Sequence, residues 1–156
     1  MEKIEIEYLA NNQQFLEEIA SYWCKEWSNT WDEKAIAKKV EKLKKKAQIG
    51  KLPFLFVAKK EEKLVGTGGL FIDDLDGREE LSPWLGGVYI VEKYRNQGVA
   101  STMIQKLINE AKRLGFRKVY LYTENASGLY EKLEWKFMED TLSPRGVPSK
   151  IFYKEI

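Results

Sequence analysis

The chain of 156 residues contains no histidine. That absence removes the side chain that titrates nearest neutrality, and with it His-based triads, most zinc sites and the commonest general base. No metal site is expected. Cysteine is almost as scarce: Cys24 stands alone, so no internal disulfide can form, and a reducing, cytoplasmic setting is expected. Residues 1–7 alternate charged and apolar side chains and lack the apolar core of a signal peptide. No apolar run approaches the ~18 residues of a membrane span, so no membrane partner is expected. The formal net charge is only +2, too small to argue for nucleic acid. With 44% hydrophobic and 32% charged residues, the balance is that of a folded chain with a real core. No repeat, linker or low-complexity tract divides it, so residues 1–156 read as one domain.

Periodicity sets the order of elements. Ile4, Ile6 and Tyr8 alternate as in a strand over 3–8. Asn11 or Asn12 is placed to cap a helix reaching Trp27, with Phe15, Ile19, Trp23 and Trp27 on one face. Thr30-Trp31-Asp32-Glu33 has the form of a capping box, and Ile36, Val40, Leu43 and Ala47 face inward from a second helix stopped by Gly50. Residues 52–59 and 63–72 read as a hairpin turning at Lys60-Glu61-Glu62. A charged loop, 73–82, leads through Pro83 into a strand over 85–91. A helix over 99–114 carries Met103, Leu107, Ala111 and Leu114 on one stripe and ends at Gly115. A strand over 118–123, a short helix over 127–133 and a strand pair at 137–140 and 150–154 complete the chain. The fold class is α+β, a mixed and largely antiparallel sheet flanked by helices.

One stretch carries chemistry. Val88-Tyr89-Ile90-Val91 is a buried strand, and Arg95-Asn96-Gln97-Gly98-Val99-Ala100-Ser101 turns it into a helix. Such a turn leaves a row of backbone N–H groups unpaired at a helix N-terminus, a ready cradle for phosphate or pyrophosphate. Gly98 allows close backbone approach, and Ala100 keeps the first turn uncluttered. Some thirty residues on comes Ala126-Ser127-Gly128-Leu129-Tyr130-Glu131-Lys132-Leu133-Glu134-Trp135.

Together these two segments resemble the GNAT superfamily of acyl-CoA-dependent N-acetyltransferases. Arg95, Gly98 and Ala100 match its Q/R-x-x-G-x-G/A cofactor motif. Ala126, Leu129, Tyr130, Glu131, Lys132 and Leu133 match its A-x-x-L-Y-E-K-L-G-F motif, with Glu134 and Trp135 replacing the usual Gly-Phe. The order of elements also resembles that family from end to end. The resemblance implies a GNAT-like fold with splayed central strands and acetyl-CoA as co-substrate. It implies that Val88, Tyr89 and Ile90 pair with the pantetheine arm, and that the amides of Asn96, Gln97, Gly98, Val99, Ala100 and Ser101 hold the pyrophosphate, with Arg95 and Lys93 adding charge. Tyr130 matches the tyrosine that protonates the departing thiolate, the catalytic role.

The implied activity is transfer of acetyl to a primary amine of a small-molecule or peptide acceptor, by direct attack in a ternary complex. The alternative is a non-catalytic acyl-CoA-binding or sensing domain of the same fold. The general base stays open: the strand glutamate of some relatives aligns with Lys118, and Glu92, Glu124, Asp73, Asp74 and Glu80 read as surface carboxylates. Trp23 and Trp27 read as packing residues, Trp84 as a candidate beside the substrate, and Cys24 as a packed thiol. The lysine-rich helix 38–46 reads as a solvated face rather than a nucleic-acid patch. The chain is expected to be a monomer or homodimer.

Overall fold

The computed structural model describes residues 3–125 and 127–156; the motif residue Ala126 lies outside them. Strands β1 (Glu5–Tyr8), β2 (Phe54–Lys60), β3 (Lys63–Phe71), β4 (Trp84–Ile90), β5 (Lys118–Thr123), β6 (Lys136–Leu142) and β7 (Pro148–Glu155) form one mixed sheet. Its order is β1-β2-β3-β4-β5-β7-β6. Helices α1 (Leu16–Trp27) and α2 (Glu33–Lys44) cover one face, α3 (Val99–Arg113) covers the other, and α4 (Ser127–Lys132) follows β5.

The elements form where the periodicity places them, with shifted ends. Two 3-10 turns, Leu9–Asn11 and Gln13–Phe15, precede α1. Asn12 is buried there, but its amide donates to Tyr8 O and Glu7 Oε1 instead of capping the helix. Asp32 rather than Thr30 caps α2, accepting from the Ala35 N–H at 2.8 Å. That helix stops at Lys44, well short of Gly50. The β2–β3 hairpin closes on Glu61 and Glu62, both with positive φ (51° and 62°), the two-residue turn whose twist suits flanking strands.

The α3 stripe (Val99, Met103, Ile104, Leu107, Ile108, Ala111) packs on Phe54, Leu70, Leu85, Val119, Leu121 and Phe152 from the sheet. Contact is close enough that a Cβ on Gly68 of β3 would lie 2.7 Å from Met103. On the opposite face Leu16, Ile19, Ala20 and Trp23 of α1 meet Leu55, Val57 and Phe71. Each large apolar side chain among them contributes about 1.5–3 kcal/mol on burial.

One polar connection crosses this second interface. The indole N–H of Trp23 donates to Thr67 Oγ1 at 3.1 Å, and the Thr67 hydroxyl donates to Gly87 O at 2.7 Å. Trp23 is therefore the packing residue its spacing predicts, and it also fixes β4 through β3. Thr67→Val keeps the shape of the side chain but leaves an enclosed indole N–H without its partner. Loss of about 2 kcal/mol of unfolding free energy is expected, read from urea denaturation. A midpoint equal to that of the parent protein would remove this link.

Candidate active site

The sheet opens at its centre. β4 and β5 run parallel but share a single register pair, Trp84↔Tyr120. At that closed end the Tyr120 N–H also donates to Pro83 O at 3.0 Å. β5 then pairs over its whole length with β7, from Lys118↔Glu155 to Thr123↔Lys150. β4 instead stays with β3, so the two central strands part as a V from residue 85 onward. The expected splay is present.

A bulge shapes the β4 arm. Thr67↔Tyr89 and Gly69↔Gly86 are paired, so one β3 residue opposes two of β4, Gly87 and Val88. Gly87 sits at φ +63°, and a Cβ there would fall 2.6 Å from the Trp23 ring. Only glycine fits both constraints. Past the bulge, Val88 and Ile90 face the α3 core, while Tyr89 faces α1. The Tyr89 ring stacks on Tyr22 at 5.1 Å and meets the edge of Trp27 at 6.2 Å.

β4 runs directly into the turn singled out by sequence. After a 3-10 turn at Glu92–Tyr94, Asn96 (φ 62°) and Gly98 (φ 80°) alternate with right-handed or extended neighbours before α3 begins. Such alternation turns successive N–H groups into a concave donor site. No side chain caps α3 and its first turn holds no acidic residue, while Lys112 and Arg113 lie in the last turn. The positive end of the helix dipole is thus left for an anion. Asn96, Gln97 and Gly98 are exposed, and nothing lies within 4 Å of a Cβ built on Gly98. Arg95 is more than a nearby charge. Its Nε donates to Ile90 O at 2.8 Å and its guanidinium lies 5.3 Å from the Tyr89 ring centre, tying the turn to the strand end.

Tyr130 lies on α4, buried among Trp135 (5.9 Å, edge-on) and Phe152 (6.4 Å). Loss of water around the ring pushes its phenol up to about 12. The helix ends with Glu134 at φ +67°, its N–H on Glu131 O, and the Trp135 N–H on Tyr130 O. This is a Schellman closure with glutamate where glycine is usual.

Two readings of individual residues change. Trp84 is fully buried, packed with Leu75, Leu81 and Ile151, tilted against Tyr120 and edge-on to Tyr122. It plugs the closed end of the V instead of lining an acceptor site. Asp74 is a half-buried carboxylate and not a fully exposed one. Leu75 and Leu81 are buried, so the charged loop 72–83 docks on the sheet and draws Asp74 in with it. Asp74 Oδ2 lies 2.8 Å from the point a Cβ on Gly86 would occupy, and Phe71 adjoins the same point. One edge of the side chain stays accessible, from a cleft lined by Asp73, Leu75, Asp76 and Glu79. Desolvation raises its carboxyl to about 7, against the attraction of Lys46 and with the repulsion of Asp73. Across the V, Tyr122 is raised chiefly by burial and next by Asp74. The other candidate bases differ: Arg145 grips Glu124 (2.6 Å) and holds it low, and Arg78 pairs with Glu80 at 3.0 Å. The one local signal for this docking is a pair of leucines inside an otherwise charged loop.

Known proteins share this fold. Residues 15–135 match the family described as Acetyltransferase (GNAT) family. N-acetyltransferase 8B of Homo sapiens is 36% identical over 86 residues, which is 52% of this chain and 37% of the human protein. The match therefore spans little more than a third of that relative. An aminoglycoside 6'-N-acetyltransferase complexed with coenzyme A superimposes with a TM-score of 0.75 at 16% identity, covering 97% of this chain and 96% of that one. A putative acetyltransferase from Salmonella typhimurium with its cofactor acetyl-CoA gives 0.72 at 14% identity, covering 97% and 93%. The splayed strands, the uncapped helix and the matched motifs have one common explanation: the chain belongs to the GNAT acetyltransferase family.

Proposed function

We propose that this chain transfers acetyl from acetyl-CoA to a primary amine of a small-molecule or peptide acceptor, by direct attack in a ternary complex. The observation that carries this reading is the run of β4 backbone from 85 to 90 that β5 leaves unpaired, leading straight into the uncapped start of α3. A pantetheine arm is an amide-bearing chain that completes such an edge; Val88 and Ile90 present backbone groups to it, while Tyr89 between them is paired with Thr67 of β3. The amides of Asn96, Gln97, Gly98, Val99, Ala100 and Ser101 face the pyrophosphate. The dipole of α3 favours that dianion by up to ~2 kcal/mol. Arg95 holds the turn in register and adds positive field. The crystallised relatives with coenzyme A or acetyl-CoA support the same donor.

Two groups act on the thioester. A β4 backbone N–H facing the open edge polarises the carbonyl as negative charge builds on its oxygen. Tyr130 donates a hydrogen bond to the departing sulfur. Burial raises the phenol and so keeps it protonated at neutral pH, as a donor to sulfur requires. The phenol therefore stabilises sulfur while the C–S bond breaks, and in net terms the thiol proton comes from the amine nitrogen as the amide forms.

Three measurements test this. Gly98→Glu places a carboxylate in the anion cradle and is expected to abolish acetyl-CoA binding by calorimetry. Gly98→Ala, which carries the same φ penalty without the charge, should retain it; equal affinity in the glutamate variant would move the pyrophosphate elsewhere. Tyr130→Phe preserves the packing on Trp135 and Phe152, so kcat is expected to fall about 100-fold with cofactor affinity unchanged; parental turnover would end that role. An amine panel of aminoglycosides, polyamines, amino acids and peptides, read as free thiol, should give at least one acceptor. Binding of acetyl-CoA with no turnover across the panel would instead mark a binding domain.

A further inference from the structure

The chain has no histidine, and the strand position where some relatives carry a glutamate holds Lys118, whose ammonium lies over the Tyr153 ring at 4.5 Å. A proton must nevertheless leave the acceptor ammonium before its nitrogen can attack. Gly86 lies just beyond Trp84, the last β4 residue joined to β5. It therefore sits at the apex of the V, on the face that α1 and α2 cover. There the Asp74 carboxylate fills the space a side chain on Gly86 would occupy. Its charge is felt by Tyr122 on β5, and it in turn feels Lys46 from beyond α2 and Asp73 from its own loop.

From this placement we propose that Asp74 is the general base of the acetyl transfer, taking a proton from the acceptor ammonium at the apex of the V. The proposal rests on the transferase reading above. One N–H proton passes from the ammonium to Asp74, and the freed lone pair attacks the thioester carbonyl carbon. The C–S bond breaks as the C–N bond forms. The second proton shed by nitrogen balances the thiolate, and the proton on Asp74 returns to solvent between turnovers. Gly86 serves the same end: any larger residue would push the carboxylate out of the apex.

The protonation state suits a base. A carboxyl raised by desolvation to about 7 is a far better proton acceptor than an ordinary aspartate and is still substantially ionised at neutral pH. Lys46 limits the rise, and Asp73 adds to it. The folded-state value lies above the ordinary 3.8 of an aspartate, so the protein loses stability as pH climbs from about 4 through 7. Asp74→Asn removes that loss, and the variant should melt at or above the parental temperature at pH 8.

The test uses a matched pair of small acceptors at saturating acetyl-CoA, read as free thiol. Ethylamine carries its extra proton at neutral pH; 2,2,2-trifluoroethylamine largely does not. Asp74→Asn is expected to lower ethylamine acetylation by about 100-fold or more. The deficit on trifluoroethylamine should be at least tenfold smaller. The parental rate on ethylamine should rise with pH and level near 7, whereas the variant rate should keep rising with the fraction of free amine, so that their ratio falls above that pH. Equal losses on both amines, or no loss on ethylamine, would overturn the role of Asp74 while leaving the transferase reading intact. So would weakened acetyl-CoA binding in the variant. Parental protein that binds acetyl-CoA but acetylates neither these amines nor any member of the panel above would overturn the base assignment and the enzymatic reading together.

Discussion

The parting of β4 from β5 is the constraint on which the rest depends. Two parallel neighbours that separate after a single register pair give up a ladder of backbone hydrogen bonds, each contributing about 0.5–1.5 kcal/mol. The loss is confined by firm closure at one end and firm support along one arm. At the closed end Trp84 is wholly enclosed with Leu75, Leu81 and Ile151. Along the β4 arm, α3 packs beneath Leu85, Val88 and Ile90, and Trp23 reaches through Thr67 to the bulged Gly87 carbonyl. The opening is thus held by packing on both faces of the sheet, and its unpaired edge points at one place.

The start of α3 follows from the same geometry. A strand leaving the V must turn sharply to place its helix on the α3 face, and the turn uses positive φ at Asn96 and Gly98. The first-turn amides of α3 then point out of the helix N-terminus with no side chain capping them. Arg95 then fastens the turn to Ile90 O, so the donors are arranged before any ligand arrives and less ordering is left to binding.

What is legible in the sequence is local. The α3 stripe, Gly98 and the strand ahead of it are encoded in one continuous segment, and the turn forms where they place it. The Schellman ends show how conformation outlasts residue type. Gly115 and Glu134 occupy the same position in two such closures, at φ +93° and +67°. In each the next N–H reaches back along the helix, Phe116 to Ala111 O and Trp135 to Tyr130 O. A glutamate tolerates the left-handed strain because the Tyr130–Trp135 packing fixes the chain on either side. The α2 boundaries depart from the sequence pattern for a smaller reason: Asp32 offers a better cap than Thr30, and the apolar period fades after Leu43.

The acceptor side is not legible because it is assembled from segments far apart in the chain. Asp74 becomes unusual only when Leu75 and Leu81 bury themselves beside Trp84 and Ile151, and when Gly86 leaves room for its carboxylate. Nothing in the string Asp73-Asp74-Leu75-Asp76 announces that. Once folded, the loop has little freedom: its leucines anchor it from within, and Arg78 bridges Glu80 and Glu139 of β6 from outside, the latter at 2.6 Å. A carboxylate kept in a poorly hydrated place lowers stability at neutral pH, and a loop free to turn the side chain outward would avoid that cost. That this one does not, in a chain with no imidazole to offer, ties the strained charge to the apex of the V and makes proton removal there the simplest account of why it stays.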